Sequence, residues 1–441
     1  MSGNSGRDRT EILNLYRKHV NKSLATLCDL IGAPLHARSA GTKIYDENGI
    51  EYLDCAGFGI NLIGHRHPAV IAAVKRQLDE HPLVSRPLIS TALPGAAAAL
   101  AAVAPPGLDH VYLTNSGAEA VEVALKLARL QGKTRIIAMQ GGFHGKTMGA
   151  LSVTGREQYR TPFEPLVPGV EFAAFGDTDD LDRRLDHDGE RTCVLVEPIL
   201  GEGGVHFPPP GWLAHVRRRC TQVGAMLVID EIQTGLGRVG SWWATDSEGV
   251  VPDVLLAGKI LSGGVVPVGA VIATSDVFGP LDDDPMLHSS TFAGSPLAAA
   301  AVEATISVLQ SEQLIERSAQ LGPQVIEMVR EAVAQHCPDL VREVRGRGLL
   351  IGIDFVTSDL AIEFLIALLE RKVIPSYSLN KYHVLRLTPP ATLDADDLSM
   401  LRSALFGAAR ELGGRRLLNG SARAHAPHPA IPTSEEIPCA S

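Results

Sequence analysis

The chain has 441 residues, room for about two or three domains with a sizeable core. Hydrophobic residues make up 45% and charged residues 20%, the balance of an ordinary globular chain, which excludes collagen-like, coiled-coil and wholly disordered classes. Lys plus Arg total 40 against 50 Asp plus Glu, a net charge of −10. That is the wrong sign for a phosphate-backbone binder, so nucleic acid is not an expected partner.

Met1 to Glu11 is polar and lacks the apolar core of a signal peptide. The most apolar stretch, Ala96 to Ala104, is about half a membrane span and is bracketed by Pro94-Gly95 and Pro105-Pro106-Gly107. A cytosolic, cytoplasmic chain with no membrane partner is expected. Cys28, Cys55, Cys193, Cys220, Cys337 and Cys439 are scattered with no CxxC pair, so neither a disulfide framework nor a metal site is expected.

In chain order, Asp8 to Leu30 carries Ile12, Leu15, Tyr16 and Val20 at helical spacing, which predicts an amphipathic arm, set apart here as residues 1–24. Lys43 to Asp54 reads as a hairpin around Asn48-Gly49, within a first portion (25–64) of a smaller domain. From 65 to 305 short apolar strands alternate with helical stretches, the signature of βαβ units. Within it His110 to Thr114, Val194 to Val196 and Met226 to Ile229 are predicted strands. Helices are predicted after Gly117 and from about Gly211 to Gln222. Residues 306–412 read as a compact α+β unit with strands Val341 to Val344, Leu349 to Phe355 and Val384 to Leu387. From Gly413 to Ser441 the composition turns to Arg, Asn, Ser, Ala, His and Pro, and a disordered tail is expected.

Three features carry chemistry. Asn115-Ser116-Gly117-Ala118 lies between a strand and a helix, where N–H groups and the Ser116 hydroxyl form a phosphate cradle; a plain N-cap is the alternative. Asp230 closes an apolar strand, at the place where ligands bind in open α/β sheets, though an N-cap or a surface acid would read the same. Lys259 stands after Val254-Leu255-Leu256-Ala257-Gly258 in an apolar, glycine-flanked setting. Desolvation there would make its amine a nucleophile, against the alternative of a solvated lysine. Together these are the three handles pyridoxal phosphate requires, for phosphate, ring nitrogen and aldehyde.

The segments Asn115 to Arg129, Gly141 to Thr147, Glu197 to Val205, Leu227 to Gly240, Pro252 to Gly269, His288 to Leu297 and Leu385 to Pro390 resemble, in that order, the class III pyridoxal-phosphate aminotransferases of fold type I. The putrescine and ornithine types are the most similar. The resemblance spans about residues 25 to 412. It implies an α/β fold: a large domain with a mainly parallel sheet and helices on both faces, plus a smaller α+β domain built from both chain ends. It implies that Lys259 binds the cofactor covalently and that Asp230 pairs with the ring nitrogen. At about 4 Å and an effective dielectric near 20 that pair is worth roughly 4 kcal/mol. By the same resemblance Ser116, Gly117 and Ala118 hold the phosphate, Phe143 stacks on the ring, His144 belongs to the cofactor site and Gln233 approaches the ring hydroxyl. Thr291 would reach the phosphate of a neighbouring subunit, so a homodimer with shared active sites, or a dimer of dimers, is implied.

Arg386 is similar to the family arginine that grips a substrate carboxylate, and Glu202 to the gate glutamate that pairs with it when the amine carries no carboxylate. Phe58 and Lys146 stand where ornithine-type members use an aromatic hydroxyl and an arginine for a distant α-carboxylate. Phenylalanine donates no hydrogen bond and lysine lacks the planar fork. The expected reaction is ping-pong transamination from a terminal amine to a keto acid such as 2-oxoglutarate. The donor would be a diamine such as putrescine, with ornithine or lysine as runner-up. An aminomutase or racemase on the same fold, or a non-catalytic cofactor sensor, are the alternatives.

Overall fold

The strand Met226–Asp230 is buried at every position, and so are Thr192–Val196, Val254–Ala257 and Gly269–Ala273, as a sheet covered on both faces demands. These strands belong to a seven-stranded sheet of order His110–Thr114, Gly269–Ala273, Val254–Ala257, Met226–Asp230, Thr192–Val196, Arg135–Met139, Val170–Ala173. All run parallel except Gly269–Ala273, which is antiparallel to both neighbours. The computed structural model describes residues 8–85 and 88–420.

Side chains alternate across the sheet and build two cores. Leu227, Ile229, Val194 and Leu255 face one; Met226, Val228, Leu195 and Leu256 face the other. Helix Trp212–Val223 buries Leu213, Val216 and Cys220 on the first face. It ends at Gly224 in the left-handed conformation at φ 70°, the helix stop that glycine permits. Helix Gly117–Leu130 buries Val121, Ala124 and Ala128 on the second face.

The chain ends meet in a smaller α+β unit. The hairpin Lys43–Asp46 and Glu51–Asp54 pairs antiparallel around the turn read from Asn48-Gly49, and Glu51–Asp54 then pairs parallel with Val373–Ile374. A second sheet orders Val341–Arg347, Leu350–Phe355, Val384–Leu387 and Ser376–Tyr377.

Three expected boundaries need correction. The N-terminal arm is two helices, Arg9–His19 and Lys22–Leu30, capped by the Asp8 and Asn21 side chains, so residue 24 falls inside the second. Residue 305 falls inside helix Pro296–Ser311, whose apolar face passes the break without interruption. The last helix, Ala395–Gly420, runs past the Gly413 where order was expected to end. Gly413-Gly414 reads as a helix breaker, yet a Cβ on Gly413 would collide with the His336 carbonyl, at the end of helix Leu314–His336. Glycine is there to let two backbones pass. Residues 421–441, the rest of the expected tail, lie outside the described residues.

Among the described residues no helix is long and apolar enough to cross a membrane, and no His, Cys, Asp or Glu cluster could hold a metal ion. Cys28, Cys55, Cys193, Cys220 and Cys337 are free thiols, and Cys439 lies outside the described residues.

Candidate active site

Five of the parallel strands deliver a polar group at or just past their carboxyl ends, and these ends border one cavity of about 570 Å³. His110–Thr114 leads into Asn115 to Ala118, Arg135–Met139 into Phe143 to Gly145, Thr192–Val196 into Glu197, and Val254–Ala257 into Lys259. Asp230 closes its own strand, and the segment Val265 to Val268, entering the antiparallel strand, supplies an apolar wall.

Asp230 is 3% exposed. Its Oδ2 lies 2.7 Å from Nδ1 of the buried His144, and its Oδ1 accepts from the Ile232 N–H at 3.0 Å. Lys259 lines the cavity with its backbone in the left-handed region, at φ 46°. A non-glycine residue held there costs free energy that the surrounding structure must supply, a condition concentrated at functional sites. Burial holds the Lys259 amine below the ordinary lysine range, opposed by the negative charges of Glu202 and Asp230.

The Ser116 hydroxyl caps its helix, accepting from the Glu119 N–H at 3.1 Å, and its own O–H is left to face the cavity that Ser116 lines. Beside it the N–H groups of Gly117 and Ala118, at the helix N-terminus, border the cavity without a protein acceptor among the described residues. A Cβ on Gly117 would come within 2.9 Å of Ile232 Cδ1, so the Ile232 side chain would have to shift to admit one. Gln233 is 5% exposed and its Nε2 has no partner among the described residues.

One step out, Arg386 Nη2 is 2.7 Å from Glu202 Oε1, with Arg386 4% and Glu202 7% exposed. Glu202 Oε2 accepts from the Leu379 N–H at 2.9 Å. Two expected residues do not line the cavity of this chain: Phe58 is 81% exposed, and Lys146 is exposed with its ammonium 4.2 Å from the Tyr159 ring centre. Thr291, expected at the site of a neighbouring subunit, is exposed.

Two site residues escaped the sequence reading. Glu197, buried, accepts from the Phe143 and Gly201 N–H groups at 2.7 and 3.1 Å. Burial pushes its carboxyl up to about 7, against the pull of His144. The signal was available, since Glu197 closes a strand just as Asp230 does. Ile232 lines the cavity between Gly117 and Gly258, and nothing in a glycine-rich loop singles out an isoleucine.

Residues 33–407 match the class III aminotransferase family. The chain belongs to the class III aminotransferases. Among solved structures, the ornithine aminotransferase from Toxoplasma gondii, which holds PLP at its active site in partial occupancy, is similar at 31% identity. It covers 94% of this chain and 97% of its own, with a TM-score of 0.85. An (S)-enantioselective omega-transaminase from Thermomicrobium roseum is similar at 26% identity, covering 92% of this chain and 99% of its own, TM-score 0.84. The ornithine delta-aminotransferase from Plasmodium falciparum, at 29% identity, covers 89% and 99%, TM-score 0.76. The fold is therefore that of the fold type I transferases, and this aminotransferase is an enzyme that uses pyridoxal 5'-phosphate.

The residues present fit that cofactor. A buried amide nitrogen on Gln233, a buried ring nitrogen on His144 and two N–H groups at a helix N-terminus have no partners among the described residues, around a cavity that also holds a carboxylate and a lysine. Unpaired buried polar groups are costly, so their convergence calls for a polar ligand.

Proposed function

We propose that this aminotransferase moves an amino group from a terminal amine with no carboxylate beside it, such as putrescine or a related diamine, to a keto acid such as 2-oxoglutarate, in two ping-pong half-reactions. The Glu202–Arg386 pair carries this reading: a buried guanidinium already neutralised by its own chain is suited to a donor that brings no carboxylate. When the keto acid arrives, its carboxylate would replace Glu202 on the Arg386 fork.

When bound, PLP supplies an electron sink for the bond broken at the amine-bearing carbon. Lys259 would hold the cofactor and, freed by the donor amine, move the proton at that carbon with Nζ. Asp230 would hold the proton on the ring nitrogen, and His144 fixes the carboxylate's orientation through the 2.7 Å contact. The Gly117 and Ala118 N–H groups would hold the phosphate, Gln233 Nε2 the ring hydroxyl, and Phe143 and Ile232 the ring faces.

A homodimer is part of the proposal. Phe58, Leu88, Ile89, Met286 and Phe292 are each more than half exposed, and a second copy covering them would bring Thr291 toward the neighbouring phosphate site.

An amino-acid donor is the second reading. Lys146 and Arg156 flank Tyr159 near the Glu202 gate, with no carboxylate paired to either among the described residues. Two such cations would suit an α-carboxylate, and ornithine is the donor named for two of the similar enzymes. Specificity constants for putrescine, cadaverine, ornithine, lysine and 4-aminobutyrate, each with 2-oxoglutarate, separate the two. Preference for an amino acid over both diamines by roughly tenfold, about 1.4 kcal/mol, would rule out the carboxylate-free donor.

A further inference from the structure

We infer that Arg156 and Tyr159 are positioning residues that set the balance of the Glu202 gate by latching the peptide that follows Leu379. The inference rests on the gate proposed above.

Arg386 lies on the return strand of a hairpin, Ser376–Tyr377 and Val384–Leu387, and Leu379 lies in the loop joining them. Glu202 grips both parts. Its Oε1 meets Arg386 Nη2, its Oε2 accepts from the Leu379 N–H, and its backbone carbonyl accepts from the Asn380 N–H at 3.0 Å. The Leu379 carbonyl, on the opposite edge of that same peptide, accepts from Arg156 Nη1 and from the Tyr159 hydroxyl, the latter at 2.9 Å. Tyr382, from the same loop, lies under the Arg156 guanidinium at 4.8 Å. Burial and the hydrogen bond with Tyr382 push the Tyr159 hydroxyl up to about 12, so it stays a donor across the working pH range. Asn380 Nδ2 ties the loop to the Gly141 carbonyl at 2.9 Å.

The consequence is directional. With Glu202 on Arg386, the Leu379 N–H is the donor that holds the other carboxylate oxygen, and its aim depends on a peptide held by two donors from outside the hairpin. Weakening that hold loosens the closed gate without touching Arg386, Lys259 or the cofactor cradle. A dicarboxylate that must displace Glu202 then binds more tightly. A donor that needs Glu202 to mask Arg386 binds more weakly. A side chain that merely supports the fold would weaken both.

The test is Tyr159→Phe in the holoenzyme, with two measurements. Glutarate, a dicarboxylate that cannot react, is titrated by calorimetry. The two half-reactions are followed by single-turnover absorbance with putrescine or cadaverine, whichever reacts better, and with 2-oxoglutarate. Loss of one hydrogen bond to the latch should tighten glutarate about fivefold and raise the donor's half-saturating concentration about fivefold, with limiting rates unchanged. Arg156→Met should likewise tighten glutarate and Arg156→Lys should keep the wild-type affinity, so a misfolded Tyr159→Phe would still leave a decisive variant. Equal losses in both half-reactions, or glutarate affinity unchanged or weakened, would overturn the latch. If the wild type reacts with none of the amines, the donor proposal fails, while the glutarate comparison still decides the latch.

Discussion

Arg386→Ala should damage one half-reaction far more than the other. The guanidinium is 4% exposed, with Nη2 on Glu202 at 2.7 Å and with Nη1 and Nε lacking partners among the described residues. An incoming carboxylate would make two charge-assisted hydrogen bonds to that fork, one of them replacing the bond Glu202 releases. Such bonds are worth about 1.5–3 kcal/mol each, so after the exchange the net loss is one such bond, roughly ten- to a hundredfold. The donor half-reaction loses less, because a carboxylate-free amine makes no contact with Arg386. Its cost comes from Glu202 left without its cation, and the Leu379 N–H at 2.9 Å still serves that carboxylate. A smaller drop is expected there. Stopped-flow absorbance, with each half-reaction run to a single turnover, measures both. Equal losses in the two halves would refute the assignment of Arg386 to the keto acid.

Lys259→Ala should retain bound cofactor but abolish both half-reactions, and single-turnover rates above a few per cent of wild type would remove Lys259 from its role. The Lys259 amine must be neutral to capture the cofactor, and burial favours its neutral form. The capture rate of cofactor-free enzyme should therefore rise with pH through a midpoint below the ordinary 10.5, and a midpoint at or above that value would contradict the burial argument. Gly413→Val would force a side chain against the His336 carbonyl; overpacking of this kind costs roughly 1–3 kcal/mol, a melting-temperature loss of several degrees. An unchanged melting temperature would mean that the two helices separate freely there.

The sheet and the candidate residues at its strand ends were legible because they follow from local rules. A strand buried on both faces is a continuous apolar run, so Met226 to Ile229 stood out, and a charged residue at its end, Asp230, had no apolar reason to be there. Lys259 was legible for the same reason, after Val254–Ala257. Glu197 obeyed that rule and was passed over. What stayed hidden depends on contacts between distant segments. That Ser116 caps its own helix while lining the cavity needs the helix geometry. That Gly413 is a crossing point depends on His336, far away in sequence. Phe58 and Lys146 were placed by resemblance alone, and the folded chain leaves both outside the cavity. The Arg156 and Tyr159 contacts to Leu379 join segments more than two hundred residues apart, beyond the reach of any spacing rule.

The central claim is that one cofactor site is charged with an amino group by a donor and discharged by a keto acid, in separate steps. The most direct measurement is the visible absorbance of the holoenzyme, first with putrescine alone and then, after removal of the amine, with 2-oxoglutarate alone. The account predicts that the absorbance bleaches in the first step and returns in the second, each step leaving one equivalent of product per site. Bleaching that reverses without any keto acid would indicate a mutase or racemase. Absorbance that responds to none of the five donors would contradict the account outright.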